Sequence, residues 1–148
     1  MRPSLIALIV LFTGLLVWGL WPSHAPTDEE LIAALIDDGA DAASVRDLGR
    51  LLAHVSPDFE GDFGGRAQLE EGLSTLLMAM RGAEIRALPK TTHVEGTRAT
   101  SDFTIVVVRP HSPDAKPLSS QRLHLALERQ GGQWLVTEAR GIDQGSGL

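Results

Sequence analysis

Apolar and polar positions alternate most regularly over residues 120–141, where two such runs meet at Gly131-Gly132. Alternation with period two marks strands that bury one face, and paired glycines between two such runs predict a β-hairpin. A two-residue turn there sets Arg129 opposite Trp134, Leu127 opposite Val136, Leu125 opposite Glu138 and Leu123 opposite Arg140. One face then carries three leucines, a tryptophan and a valine, and turns polar away from the turn.

Upstream the period changes to that of helices. Thr27-Asp28-Glu29-Glu30 has the form of a capping box, followed by an apolar stripe at Leu31, Ile32, Leu35 and Ile36. Residues 37–41 are mostly poor helix formers and predict a break near Gly39. A second stripe, Val45, Leu48, Leu51, Leu52 and Val55, ends at Ser56-Pro57. The pattern reads as two consecutive helices or one long helix broken near Gly39. Residues 59–63 read as a brief strand or extended loop. Residues 66–81 form a third helix, with Leu69, Leu73, Leu76, Leu77 and Met80 on one side and Gly82 just past its end. Residues 85–94 make a weak strand carrying Pro89, and residues 97–109 a β-branched central strand. A proline-rich connection, residues 110–117, precedes the hairpin. Helices followed by about four meandering strands predict an α+β domain over residues 28–142, with a flexible tail at 143–148.

Residues 5–21 stand apart, without charge or proline. As a helix they span roughly 25 Å, near the short end of what crosses a bilayer. Arg2 precedes them and three acids, Asp28 to Glu30, follow, which puts the N-terminus in the cytoplasm and the domain outside it. The expectation is a single-pass anchor in a bacterial inner membrane, with Trp18 and Trp21 at the far interface and residues 22–27 as linker. The alternative is a cleaved signal peptide, for which Ser23-His24-Ala25 offers suitably small residues; Pro26 after the cut disfavours it.

Charge narrows the partners. The chain carries −6 overall, and about −7 once Arg2 is set aside, so phosphate backbones repel it and nucleic acid is not an expected partner. With no cysteine there are no disulfides, thiolate nucleophiles or cysteine metal sites. No histidine pair has metal-ligand spacing and no glycine-rich loop is set to cradle phosphate, so neither metal nor cofactor is expected.

Three short stretches carry a resemblance: Arg46-Asp47 to Leu52, Ser56-Pro57-Asp58-Phe59, and Gly132-Gln133-Trp134-Leu135-Val136. In this order among helices and strands they resemble the nuclear transport factor 2-like superfamily, which includes SnoaL-like and ketosteroid isomerase-like proteins. In layout the chain looks like membrane-anchored bacterial members. The resemblance implies a curved sheet rolled into a cone that the helices close. Enzymes of the superfamily mostly use an Asp or His base in the cone, and the isomerases add a tyrosine and a protonated acid. This chain has no tyrosine, so no catalytic residue is carried over.

The expected cone pocket comprises Trp134, Leu125 and Phe103, with Glu138 and Arg140 at its mouth as a hook for a carboxylate or as a rim ion pair. Asp102 and His54 are the acid/base candidates. Asp102 alternates away from Phe103 and so reads as solvated, and His54 borders a helix stripe. His124 falls on the outer face, and His93 beside a turn. Val106, Val108 and Leu135 share the outer face, where an exposed apolar patch would pair two copies. The reading is a membrane-tethered, non-catalytic domain that binds a partner or a small apolar ligand. The alternative is a small lyase or isomerase using an Asp or His in the pocket.

Overall fold

A computed structural model describes residues 24–111 and 116–142. The expected anchor at 5–21, the first linker residues, the middle of the proline-rich connection and the tail at 143–148 lie outside the described residues. Among the described residues no helix is long and apolar enough to cross a membrane.

Helix α1, Asp28–Ser44, starts at the capping box: the Glu30 amide donates to Thr27 Oγ1 at 3.2 Å and the Thr27 amide to Glu30 Oε2 at 3.0 Å. The helix does not break near Gly39. Long-range partners hold the poor helix formers in place, Lys90 reaching Asp37 at 2.5 Å and His54 reaching Asp38 at 2.6 Å. The chain turns later, at Val45 to Asp47, where Arg46 takes a left-handed φ of 58°. The second stripe therefore yields only a short helix, α2, Leu48–Leu52, capped by Asp47.

Beyond α2 the backbone zips onto the last strand, with Ser56 N donating to Val136 O at 2.9 Å and Val136 N to His54 O at 2.8 Å. A small hairpin follows, β1 Glu60–Gly61 and β2 Gly64–Gly65, then helix α3, Arg66–Ala79. Gly61 is needed as glycine, because a Cβ there would sit 2.6 Å from the Ala139 carbonyl oxygen.

The sheet comprises β3 Glu84–Ala87, β4 Thr91–Glu95, β5 Arg98–Val108, β6 Ser119–Gln130 and β7 Gln133–Ile142. It is antiparallel in the order β3-β5-β6-β7, and β4 lies beside β3 along the same edge of β5. The one weak strand expected over 85–94 is thus two, parted around Pro89, which has no N–H to give to the ladder. Three helices cover one face of this curved sheet.

The β6–β7 turn is built as expected, with Gly131 at φ 58° and Gly132 at φ 80°. Arg129 faces Trp134 and Leu127 faces Val136. There the expected register ends. A bulge inserts Thr137, whose hydroxyl donates to the Ala126 carbonyl at 3.2 Å. Past it, Glu138 pairs with Ala126, Ala139 with Leu125 and Arg140 with His124. Since a one-residue shift exchanges the faces of a strand, Ala139 joins the core, and Glu138 and Arg140 move to the outer face.

Candidate functional site

The hollow between helices and sheet is filled. Phe59 and Leu127 are each 2% exposed, Phe103 and Trp134 5%, and Ile32 is fully buried. Trp134 points inward as its alternation requires, and its indole N–H donates to Asp28 Oδ1 at 3.1 Å. Arg129 also pairs with Asp28 and lays its guanidinium 5.0 Å from the indole centroid. Phe103, Leu125 and Trp134 thus fill the cone rather than line a pocket.

Among the described residues the buried polar side chains are Ser56 and Ser101. Ser101 Oγ lies 3.0 Å from Thr92 Oγ1, and Ser56 Oγ lies 3.1 Å from Gln130 Oε1 and accepts from Asp58 N at 3.2 Å. Both hydroxyls are satisfied, so neither is left to orient a ligand. Proton transfer inside the cone requires a titratable group there, and the described interior holds none.

The ionisable candidates lie outside. Asp102 and His124 meet on the outer face, Oδ1 to Nδ1 at 2.7 Å, with side chains 44% and 35% exposed. Glu138 and Arg140 form an ion pair beside them rather than a hook at the cone mouth. His93 is exposed on the same face. His54 lies in the turn just past α2, with its Nε2 2.6 Å from Asp38 Oδ2 on α1, and Arg50 binds the other Asp38 oxygen. Sequence pattern does not reveal that triad, because Asp38 and His54 are 16 residues apart on different elements.

Arg50 first, and then His54, hold the Asp38 carboxyl down at about 2. A depressed carboxyl pKa stabilises the fold above its unfolded value, and the gain disappears as pH falls through the folded one. Asp38→Asn will therefore lower Tm at pH 6, and the gap from the parent chain will close as pH falls from 4 to 2. Parallel melting curves across that range check it, and a gap that persists unchanged at pH 2 would assign the loss to something other than this carboxylate.

Two open depressions mark the surface. One, of about 850 Å³, lies beside the β1–β2 hairpin among Pro57, Phe59, Gly64, Arg66 and Glu70. The other, about 450 Å³, lies on the sheet among His93, Arg98, Thr100, Ala126, Glu128 and Thr137. No cluster of three or more potential metal-ligating side chains occurs among the described residues. The expected outer apolar patch is not continuous: Val108 is buried, and Leu135 lies opposite Glu128 near the hairpin turn. Val106 stands eight residues along β5 from Arg98, the partner of Glu128, or about 27 Å away.

No family model matches the chain, and no curated protein matches it. Solved structures do. A protein of unknown function with a cystatin-like fold from Nostoc punctiforme superposes with a TM-score of 0.68 at 18% identity, over 82% of this chain and 97% of that one. An NTF2-like protein with a cystatin-like fold from Novosphingobium aromaticivorans gives 0.67 at 22% identity, over 99% and 92%. The fold is the nuclear transport factor 2-like cone. An NTF2-like protein of unknown function from Pseudomonas putida, at 0.65 and 19% identity over 78% and 87%, shares it. In this nuclear transport factor 2-like cone the likeness extends to backbone architecture alone, and the chemistry must be read from the chain's own interior.

Proposed function

We propose that residues 28–142 form a non-catalytic binding or assembly module, tethered by residues 5–21 and carried on the extracytoplasmic side of a bacterial inner membrane. One observation carries the reading: apolar side chains and two satisfied serines occupy the cone interior, and the acid/base candidates Asp102 and His54 lie outside it. A lyase or isomerase of this fold needs a titratable group facing an enclosed substrate. The tether rests on the uncharged run at 5–21 and the acids that follow it.

The filled cone has a direct test. Leu125→Ala opens space in it, and benzene at ten times its Kd then stabilises that variant by about 1.4 kcal/mol. The parent chain in lipid nanodiscs gains no Tm from the same benzene concentration. A parent chain stabilised as much as the variant would show a standing cavity and return the enzyme reading to first place.

A further inference from the structure

The two ends of the domain differ in charge and polarity. At one end lie the start of α1, the β4–β5 turn and the Gly131-Gly132 turn, joined by the Asp28 contacts to Arg129 and Trp134. Acids outnumber bases at this end: Asp28, Glu29 and Glu30 in the first turn of α1 and Glu95 and Glu128 on the sheet above, against Arg98 and Arg129.

At the other end three connections converge. Ser44 Oγ, just before the α1–α2 connection, accepts from Ile85 N at 2.8 Å and so ties it to the start of β3. Glu84 pairs with Val108, which brings the α3–β3 connection to the end of β5. Leu118 N donates to Val107 O at 2.7 Å, closing the β5–β6 connection onto the same place. Leu77, Ile85 and Val107 form a second small core beneath.

Three large apolar side chains at this end are open to solvent: Val45 is 64% exposed, Met78 70% and Leu118 56%. Arg46, Arg81 and Arg109 stand on the same three connections, all exposed. None of the three arginines makes an ion pair with a described residue; the arginines and lysines that do are Arg50, Arg86, Lys90, Arg129 and Arg140. Of the neighbouring acids, Glu84 pairs with Arg86 and Asp47 accepts from the Arg50 amide as the cap of α2. A chain of net charge −6 thus gathers, around apolar side chains at one end, three arginines with no ion-pair partner among the described residues. Arginine and methionine are enriched where proteins dock, and complementary charge selects the partner.

We propose that this far end docks an acidic segment of a partner protein bearing large apolar side chains. The inference rests on the tethered reading above, which decides among occupants. Linker residues 22–27 reach at most about 21 Å, whereas the 11 residues of β5 separate the two ends by roughly 34 Å. The linker is too short to turn the domain over, so the acidic end stays nearer the bilayer and the basic end faces the aqueous compartment. A second copy offers its acidic end as a complement, but that end is held beside its own anchor at the same membrane.

The experiment uses the full chain in nanodiscs and two fluorescent twelve-residue peptides, one alternating glutamate with leucine and phenylalanine, the other lysine with the same apolar residues. The glutamate peptide binds at least tenfold more tightly than the lysine peptide, and added salt weakens it. Joint reversal of Arg46, Arg81 and Arg109 to glutamate lowers its affinity about tenfold with Tm unchanged, and Met78→Asp lowers it independently. Equal binding of both peptides, or binding indifferent to these variants, overturns the proposal. So does transfer of a dye on Met78→Cys into anionic phosphatidylglycerol vesicles, which would make the surface a membrane contact. The orientation is read separately, through a dye on Gln133→Cys or Leu118→Cys against nitroxide-labelled lipid headgroups. Stronger quenching at position 133 supports the tether; equal quenching rejects the tethered geometry whatever the peptides do.

Discussion

Replacing Trp134 with alanine lowers the unfolding free energy by about 3–5 kcal/mol, the range for removing a large aromatic from a packed core. Trp134 is 5% exposed and lies among residues from α1, the segment after α2, and β5 to β7. Its loss leaves a cavity that flanking elements cannot all close, and it takes the indole N–H from the Asp28 carboxylate, leaving Arg129 as its partner. Trp134→Phe separates the two contributions. It keeps most of the apolar volume but loses the indole N–H, and costs about 1–2 kcal/mol. Urea unfolding followed by backbone circular dichroism measures both. A midpoint unmoved by the alanine variant would mean that the tryptophan does not join the helices to the sheet.

Ser101→Asp places a carboxylate on the inner face of the sheet, and it destabilises the chain at pH 7 by about 3–5 kcal/mol. Ser101 is fully buried, with Ala99 and Phe103 two residues to either side on the same inner face and Leu125 opposite. The introduced carboxyl has its folded pKa raised by burial, so the penalty grows as pH rises above the unfolded value near 4 and shrinks again in acid. Ser101→Asn, which does not titrate, shows a smaller and pH-independent loss. A Ser101→Asp chain as stable as its parent at pH 7 would mean that water reaches the inner face, against a filled cone. A penalty of this size and pH dependence is what the proposed non-catalytic module requires, because its interior offers an introduced charge no partner.

Much of the architecture can be read from local pattern alone. The capping box at Thr27, the glycine turn at 131–132, the central strand, and the inward set of Phe103, Leu125, Leu127, Trp134 and Val136 each follow from spacing within a few residues. Side-chain periodicity and turn chemistry are properties of a short segment, and burial simply acts on them. Tertiary contacts decided the rest. The α1 helix runs through its poor helix formers because Lys90 and His54 hold Asp37 and Asp38 from elsewhere in the chain. Glu138 and Arg140 leave the cone because a bulge at Thr137 shifts the register, and alternation along β7 carries no mark of the extra residue. The end-to-end separation of charge is likewise invisible along the chain, since Arg46, Arg81 and Arg109 are brought to one end only when α1, α3 and β5 finish there together. Composition and periodicity are local quantities, whereas register, pairing and the grouping of distant charges are set by contacts between segments far apart in the sequence.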